Sequence, residues 1–389
     1  MPLKNRFAEL FPQIAAWRRD LHAHPELLYD LPRTSGFVAG TLREMGCDAV
    51  VEGVGRSGVV GVIKGRATGS GKVIGLRADM DALPILEATG AEYASTVAGK
   101  MHACGHDGHT AMLLGAAQYL AETRHFDGTV VLIFQPAEEG GAGGKAMVDD
   151  GLMDRFGIQE VYGMHNMPGL PAGQFAIRPG ALLASADEFD ITVTGKGGHA
   201  GMPHAAIDTT LAASHVVVAL QSIVARNVDP LGSMVVTVGS FHTDSVASNV
   251  IAHQVKLGGT VRCLDPALRD LAEERLRALV THTAAAYGAE AAIDYKRGYP
   301  VTMNTPDNTE FAADIAEEVS GAVIRDIKPL MPAEDFSYML EARPGAFIFI
   351  GNGDSAMCHH PAYDFNDEAI PAGCSWFATL AERRMPLTA

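Results

Sequence analysis

The sequence is poor in cysteine, in tryptophan and in basic residues. Its five cysteines are odd in number and widely scattered, unlike a disulfide framework, so we expect free thiols. Lys and Arg total 30 against 46 Asp and Glu, and the net charge of −16 argues against nucleic acid or an anionic membrane as a partner. No uninterrupted apolar run approaches the roughly 18 residues of a membrane span, and the N-terminus lacks the apolar core of a signal peptide. These absences predict a cytoplasmic protein.

What the sequence does have is the composition of a globular protein long enough for two domains, with 47% apolar and 20% charged residues in 389. Short apolar runs predict buried parallel strands at 59–63, 73–76, 130–134, 161–164 and 346–350, with a helix at 109–121. Residues 184–298 instead follow the β-α-β-β-α-β order of ferredoxin-like domains. We therefore predict an α/β catalytic domain with a mainly parallel, helix-flanked sheet (1–183 and 299–389), interrupted by an inserted α+β domain (184–298).

The stretch MHACGHDGH at 101–109 is the densest concentration of reactive side chains. Cys104 and His106 are two residues apart, and in an extended loop such side chains face the same way. A thiolate and an imidazole that converge suit zinc or a similar divalent metal. The residues alone equally allow a buried thiol beside a histidine that caps a helix.

Further metal-binding side chains follow the other predicted strands. They are Asp79 and Asp81 after 73–76, Glu138 and Glu139 after 130–134, His165 after 161–164, and Cys358, His359 and His360 after 346–350. Because ligands collect at the carboxyl ends of strands in open α/β sheets, this coincidence favours one metal site. Adjacent glutamates can also divide two tasks, one binding metal and the other taking a proton from the attacking water.

Nine motifs in order resemble the amidohydrolase branch of the two-metal aminoacylase and carboxypeptidase superfamily. They are RADMDALP (77–84), MHACGHDGHT (101–110), FQPAEEGGAGGKAM (134–147), MHNMPGLPAG (164–173), GKGGHAGMPH (195–204), SNVIA (248–252), GTVRCLD (259–265), AEDFSYM (333–339) and HHPAYDFNDE (359–368). That branch includes hippurate hydrolases, N-acyl amino acid deacylases and plant auxin conjugate hydrolases. The resemblance covers nearly the whole chain.

The resemblance implies a site for two divalent ions, Zn, Mn, Co or Ni, bridged by Cys104. One ion would also be held by His106 and His165, the other by Glu139 and His359, with Glu138 as general base. His359 is preferred to His360 because the ligand in the family pattern stands directly before a variable residue and proline. Asp79 and Asp81 are predicted to orient the ligands without binding metal. His22, His24, His102 and His109 are predicted to be caps or structural hydrogen-bonders.

In the inserted domain the resemblance assigns His199 to the oxyanion, and Asn249 and Arg262 to the substrate carboxylate. A guanidinium suits a carboxylate because it can donate two parallel hydrogen bonds. The alternative for Arg262 is an exposed strand residue paired with Asp265. His199 is predicted to act in the neighbouring subunit's site, so we expect a homodimer or a higher homo-oligomer.

The predicted activity is hydrolysis of N-acyl amino acids to a carboxylic acid and a free amino acid. One alternative is a dipeptidase or carboxypeptidase on the same scaffold. Another is a thiol hydrolase with Cys104 as nucleophile and His106 as base, although that pair lacks a third, orienting group. A third is a protein that binds metal or conjugates without turnover, and such a binder would not need Glu138.

Overall fold

In the computed structural model, which describes residues 5–387, the chain forms two compact units. The first contains the residues up to Leu182, Met303–Lys328 and the residues from Asp335 on, and the second contains Leu183–Thr302 and Pro329–Glu334. The sequence prediction placed residues 329–334 with the catalytic domain instead. They join the second unit because the Ala184 N–H lies 3.1 Å and 3.0 Å from the carbonyl oxygens of Leu330 and Pro332.

The described residues form ten α-helices, two short 3₁₀ helices (Pro203–Ala205 and Asp367–Ala369) and sixteen strands. The helices are α1 (Asn5–Ala23), α2 (Pro32–Glu44), α3 (His106–Thr123), α4 (Gly143–Asp149), α5 (Leu152–Arg155), α6 (Thr209–Asn227), α7 (Pro266–Ala286), α8 (Pro306–Ser320), α9 (Ser337–Ala342) and α10 (Ile370–Arg384). The strands are β1 (Ala49–Val54), β2 (Gly58–Lys64), β3 (Val73–Asp79), β4 (Thr129–Gln135), β5 (Glu160–Met167), β6 (Phe175–Ala176), β7 (Gly180–Leu183), β8 (Ser185–Thr194), β9 (Gly198–His199), β10 (Met234–Thr243), β11 (Val250–Ile251), β12 (Gln254–Cys263), β13 (Glu290–Arg297), β14 (Thr302–Asn304), β15 (Val323–Ile324) and β16 (Gly345–Gly351).

The first unit is built on an eight-stranded sheet in the order β1-β2-β4-β3-β5-β16-β6-β15. Its centre, from β4 through β3 and β5 to β16, is parallel, which confirms the mainly parallel sheet. The strand predicted at 59–63 was wrongly taken as parallel, because β2 pairs antiparallel with both β1 and β4. Only three residues join β1 to β2, and a parallel pair needs a crossover of a dozen or more.

Helices cover this sheet because its strands are apolar on both faces. All seven residues of β16 are buried, as are six of the seven in β4. On α10 the fully buried Trp376 donates its indole N–H to the carbonyl of Ala312 on α8, at 3.0 Å. Packing in this core holds the parallel strands in place, and with them the edge of the sheet at which their carboxyl ends lie.

The second unit has the predicted β-α-β-β-α-β order, formed by β8, α6, β10, β12, α7 and β13. Its sheet order is β10-β12-β8-β13, with every neighbouring pair antiparallel. One face is packed by α6 and α7, through side chains such as Leu220 and Leu276. By length and composition α6 could cross a membrane, a property shared by packed helices of globular domains.

Candidate metal centre

The predicted metal ligands lie at one edge of the first unit's sheet. Glu139 follows β4, His165 lies near the end of β5, and His359 follows β16. Cys104 and His106 stand at the start of α3. Because these strands belong to the parallel centre of the sheet, their carboxyl ends deliver the side chains to the same place.

The five side chains form two groups of three that share Cys104. Cys104, His106 and His165 make one group, Cys104, Glu139 and His359 the other, and in each the possible ligand atoms lie within 4.8 Å of one another. The Cys104 Sγ is 3.3 Å from the His165 Nε2, and the His359 Nε2 is 3.2 Å from the Glu139 Oε1. The structure thus brings together all five predicted ligands.

His360, the alternative to His359, is turned to a different partner. Its Nδ1 accepts a hydrogen bond from the Ala362 N–H at 3.0 Å, while both histidines are exposed. His359 has a positive φ of 69° and belongs to the Cys104 group. A non-glycine residue in the left-handed region is held there by its surroundings, and such positions cluster at functional sites.

One buried atom of the cluster lacks a hydrogen-bond partner. The Nδ1 of His106 donates to the carbonyl of Asp81 at 2.8 Å, and its Nε2 is buried without a partner. The Glu139 Oε1 is also buried, and it lies 3.2 Å from the His359 Nε2. Leaving a polar group unsatisfied costs about 1–3 kcal/mol, and a divalent cation would satisfy the His106 Nε2. The residues present therefore fit a metal ion.

The charges around His106 also favour a cation. Burial opposes a charged ring, but Asp79 first, then Asp81 and Glu139, raise the pKa of His106 well above its ordinary value. Burial and the neighbouring His109 hold the pKa of His165 well below its ordinary value, so this ring is neutral. Metal ligands of this type must be unprotonated, so a metal would compete with the proton at His106.

Asp81 holds both glutamates in place. Its two carboxylate oxygens accept the backbone N–H groups of Glu138 and Glu139 at 2.8 Å and 3.1 Å. The turn before them passes through Ala137 at a φ of 53°. His106, Glu138 and Glu139 form a further group within 4.8 Å, and Glu138 is only 7% exposed. A carboxylate is thus buried beside the ligands, where a general base has to be.

Asp79 is held by a different pair of residues. It accepts a hydrogen bond from the His109 Nδ1 at 2.7 Å and one from the Arg77 Nη1 at 2.8 Å. Asp79, His106 and His109 also lie close enough to hold an ion. However, the His109 Nε2 already accepts the Asn166 N–H at 2.9 Å, so this ring has no nitrogen left for metal. The contacts of Asp79 and Asp81 are those of residues that orient ligands, and that role stays a prediction.

The sequence predicted an extended segment between Cys104 and His106, and this prediction is wrong. Gly105 has a φ of 93°, and α3 begins at His106, three residues before the predicted start. A Cβ atom at position 105 would overlap the side chains of Asn166 and Tyr363. The left-handed glycine therefore turns the chain into the helix and lets the thiol and imidazole face the same cluster.

Four histidines were predicted to be caps or structural hydrogen-bonders, and three of them make such hydrogen bonds. His22 pairs with Asp107 and Glu87, His24 with the carbonyl of Asp20, and His109 with Asp79. His102 differs, because neither ring nitrogen has a partner among the described residues. Burial lowers the pKa of His102 to about 3, so the ring is neutral.

The three residues assigned in the inserted domain lie in the second unit. His199 on β9 is exposed, and its Nδ1 accepts the Gly201 N–H at 3.0 Å. Asn249 is also exposed, directly before the strand β11 that pairs with β9. Arg262 is half-buried on β12. The alternative pairing of Arg262 with Asp265 is not seen, because Asp265 accepts the Ala267 N–H and caps α7.

Sequence reasoning missed two residues that touch the cluster. Asn166 donates to the Cys104 carbonyl, and Tyr363 donates to Asn166. Both stand inside motifs already recognised, MHNMP and HHPAYD. Their partners are 62 and 197 residues away in the chain, so no local pattern marks the contacts.

Comparison with known proteins places this geometry in a family. A model described as peptidase family M20/M25/M40 matches residues 75–383. The chain is 43% identical to a hippurate hydrolase of Campylobacter jejuni, over 94% of each chain, and 40% identical to thermostable carboxypeptidase 2 of Saccharolobus solfataricus, over 97% of each. A solved dinuclear metal binding peptidase of the M20 family from Bacillus subtilis is 33% identical, with a TM-score of 0.86, over 97% of this chain and 99% of that one.

The chain belongs to peptidase family M20/M25/M40. It is a hydrolase that acts on amide bonds, with a centre for two metal ions. The resemblance inferred from the nine sequence motifs is thereby confirmed.

Proposed function

We propose that the protein hydrolyses N-acyl amino acids, of the hippurate or N-acetyl kind, to a carboxylic acid and a free amino acid. The observation that carries this proposal is the pair of three-residue groups that share Cys104, with the buried Glu138 beside them. The hippurate hydrolase of 43% identity supports the substrate class.

In this proposal Cys104, His106 and His165 hold one ion, and Cys104, Glu139 and His359 hold the other. Bound there, two divalent ions would supply positive charge that polarises the amide carbonyl and makes a water molecule more acidic. Glu138 takes the proton from the attacking water and delivers it to the leaving nitrogen. The contacts of Asp81 with both glutamate N–H groups support this division, because they hold the base and the ligand side by side.

The mixed sulfur, nitrogen and oxygen donors suit Zn, and they also accommodate Mn, Co or Ni. Cys104 is the softest donor of the set, and it is shared by both groups. We propose one of these four metals as the physiological ion.

We propose that His199 stabilises the oxyanion and that Asn249 and Arg262 bind the substrate carboxylate, with His199 contributed by the second subunit of a homodimer. The edge strand β10 supports pairing between copies, because its outer side has no neighbour among the described strands. Exposed apolar side chains accompany this edge: Val235 and Phe241 on β10, and Leu211, Val218 and Val224 on α6. A location in the cytoplasm stays a prediction.

Carboxypeptidase activity is the second candidate, and the 40% identity to a thermostable carboxypeptidase favours it. Both substrate classes carry an amide beside a free carboxylate, so the same Arg262 would serve either. They differ in the group on the acyl side, which is an amino acid residue in a peptide and a simple acid in an N-acyl amino acid.

The thiol hydrolase alternative is disfavoured by the surroundings of Cys104. The imidazole that reaches its Sγ belongs to His165 and not to His106, the base this alternative named. A hydrogen bond with Cys358, burial and the Glu139 carboxylate raise the pKa of Cys104 well above its ordinary value. A nucleophilic thiol has to lose its proton without a metal and so needs the opposite shift, whereas a metal ligand gives up its proton to the bound ion. The alternative of a protein that binds metal or conjugates without turnover is also disfavoured, because such a protein would not need Glu138.

A substrate panel tests the proposal. Purified protein loaded with Mn, Co, Ni or Zn is incubated with acetyl, benzoyl and indoleacetyl amino acids and with matched dipeptides, and the released amine is measured. We expect the N-acyl amino acids to be cleaved with the higher kcat/KM. A preference for dipeptides would establish the second candidate, and no turnover of any compound by the metal-loaded protein would establish the binder.

A further inference from the structure

Asn166 lies buried directly behind the pair formed by Cys104 and His165. Its side-chain Nδ2 donates to the Cys104 carbonyl at 2.5 Å, and its Oδ1 accepts from the Tyr363 hydroxyl at 2.8 Å. Its backbone N–H donates to the His109 Nε2, and its carbonyl accepts from the His165 Nδ1 at 2.6 Å. Only 2% of Asn166 is exposed. One residue therefore contacts two predicted ligands and two buried side chains that hold no metal.

The two contacts made by the side chain, with the Cys104 carbonyl and the Tyr363 hydroxyl, require an amide. The Cys104 carbonyl can only accept, so the Nδ2 must face it, and this leaves the Oδ1 for the Tyr363 hydroxyl. Aspartate is the same size but has no donor for the carbonyl, and it would add a negative charge beside Cys104. Leucine would leave the carbonyl and the hydroxyl buried without partners, each at a cost of about 1–3 kcal/mol.

The contacts of Asn166 also determine which nitrogen of His109 carries the proton. Because the His109 Nε2 accepts the Asn166 N–H, its Nδ1 carries the proton and donates it to Asp79. Gly105 leaves no room for another side chain, since a Cβ there would overlap both Asn166 and Tyr363. The carbonyl of Cys104 is thus held from one side by a chain of hydrogen bonds that ends at Asp79.

We propose that Asn166 is the positioning residue of the shared thiolate. By holding the Cys104 carbonyl and the His165 Nδ1 together, it sets the Sγ and the His165 Nε2 where one sulfur reaches both groups of ligands. The inference rests on the proposed metal centre. It concerns the placement of the sulfur and not the transfer of a proton.

Cobalt substitution of the full-length protein tests the inference, because thiolate-to-cobalt charge-transfer absorption reports the geometry of the sulfur. The test variant is Asn166→Asp. The matched control is Asn304→Asp, because Asn304 is also buried and its Nδ2 also donates to a backbone carbonyl, that of Phe347 at 2.9 Å. The hydrogen bonds of the Asn304 side chain go to the backbone of Arg178 and Phe347, neither of which is a predicted metal ligand.

We expect Asn166→Asp to bind Co²⁺ about 10- to 100-fold more weakly than the unsubstituted protein and to shift the charge-transfer band. The control should lose thermal stability and keep both the affinity and the band. An Asn166→Asp protein with the band and affinity of the unsubstituted protein would overturn the inference. So would a control that shifts the band as much.

Two further measurements keep the test decisive. If Asn166→Asp does not fold, Tyr363→Phe replaces it, since this change removes only the hydroxyl that orients the amide. A shift of the band relative to the unsubstituted protein supports the inference, and an unchanged band overturns it. If the unsubstituted protein itself shows no thiolate band with Co²⁺, the proposed metal centre fails, an outcome distinct from failure of the role of Asn166.

Discussion

The candidate metal cluster of the first unit and the candidate substrate residues of the second differ in how firmly they are held. His106 is fully buried, and its ring donates to the backbone carbonyl of Asp81. The Asp81 carboxylate in turn accepts the backbone N–H of Glu139. His199 and Asn249 are exposed, and the one hydrogen bond seen at the His199 ring comes from the nearby Gly201. Metal ligands have to be in place before the metal arrives, whereas side chains that meet a substrate can move as it binds. The difference is one of preorganisation.

Substitution of the paired glutamates should break the cluster in two distinct ways. Glu138→Ala should lower kcat by about 10²- to 10⁴-fold and keep its metal, because Glu138 is proposed to move a proton and not to bind the ion. Glu139→Ala should lose activity and also one metal ion, because Glu139 is proposed as a ligand and its Oε1 faces His359. Elemental analysis and steady-state kinetics of both variants check this. Metal loss in the first variant and retention in the second would reverse the assignment.

Mixed dimers test whether the exposed His199 completes the site of a partner. Glu138→Ala and His199→Ala chains are each expected to be inactive as homodimers. In a heterodimer the site on the His199→Ala chain keeps its own Glu138 and borrows an intact His199, so one of the two sites should work. Subunits are exchanged, heterodimers are isolated by differential tags, and amide hydrolysis is assayed. Heterodimers as inactive as the parents would remove the trans histidine and leave the metal chemistry untouched.

Arg262 should affect binding of the substrate carboxylate alone. Removing hydrogen bonds to a charged group costs about 1.5–3 kcal/mol, so Arg262→Ala should lower kcat/KM roughly 10- to 150-fold. Arg262→Lys should recover only part of this, because an ammonium cannot donate in a bidentate fashion. The control substrate is an N-acyl amine without a carboxylate, whose hydrolysis should not change. An equal loss on both substrates would mean that Arg262 serves the fold.

The smallest effect on chemistry is expected from a change inside the second unit's own core. Asp187 is fully buried and accepts hydrogen bonds from Arg269, from the Tyr295 hydroxyl at 2.8 Å and from the Gly298 N–H at 3.1 Å. Asp187→Ala leaves a buried cation unpaired and should destabilise this unit by about 3–5 kcal/mol. Hydrogen exchange should show the loss in β8 and β13, while the metal content stays unchanged. Loss of metal would show that the two units are not independent in this respect.

The metal ligands could be predicted from the sequence because parallel strands deliver their carboxyl ends to one edge. Glu139, His165 and His359 each follow or end a strong apolar run, so the strand pattern gathers these candidates at one edge. The choice of Glu139 over Glu138 and of His359 over His360 came from the family resemblance. The direction of β2 was missed because a buried strand reads the same in either orientation. The part played by Asn166 was missed because its contacts lie 62 and 197 residues away. His102 was misjudged because sequence shows that a histidine is present but not whether it has partners.

The shared thiolate of Cys104 is tested most directly by counting metal ions against activity. The protein is stripped by exhaustive chelation, assayed, reloaded with Mn, Co, Ni or Zn, and compared with Cys104→Ala treated in the same way. The account predicts two ions per chain, no activity after chelation, recovery on reloading, and a failure of Cys104→Ala to hold both ions. Metal-free protein that keeps full activity and loses it when Cys104 is alkylated would contradict the account and make Cys104 the nucleophile.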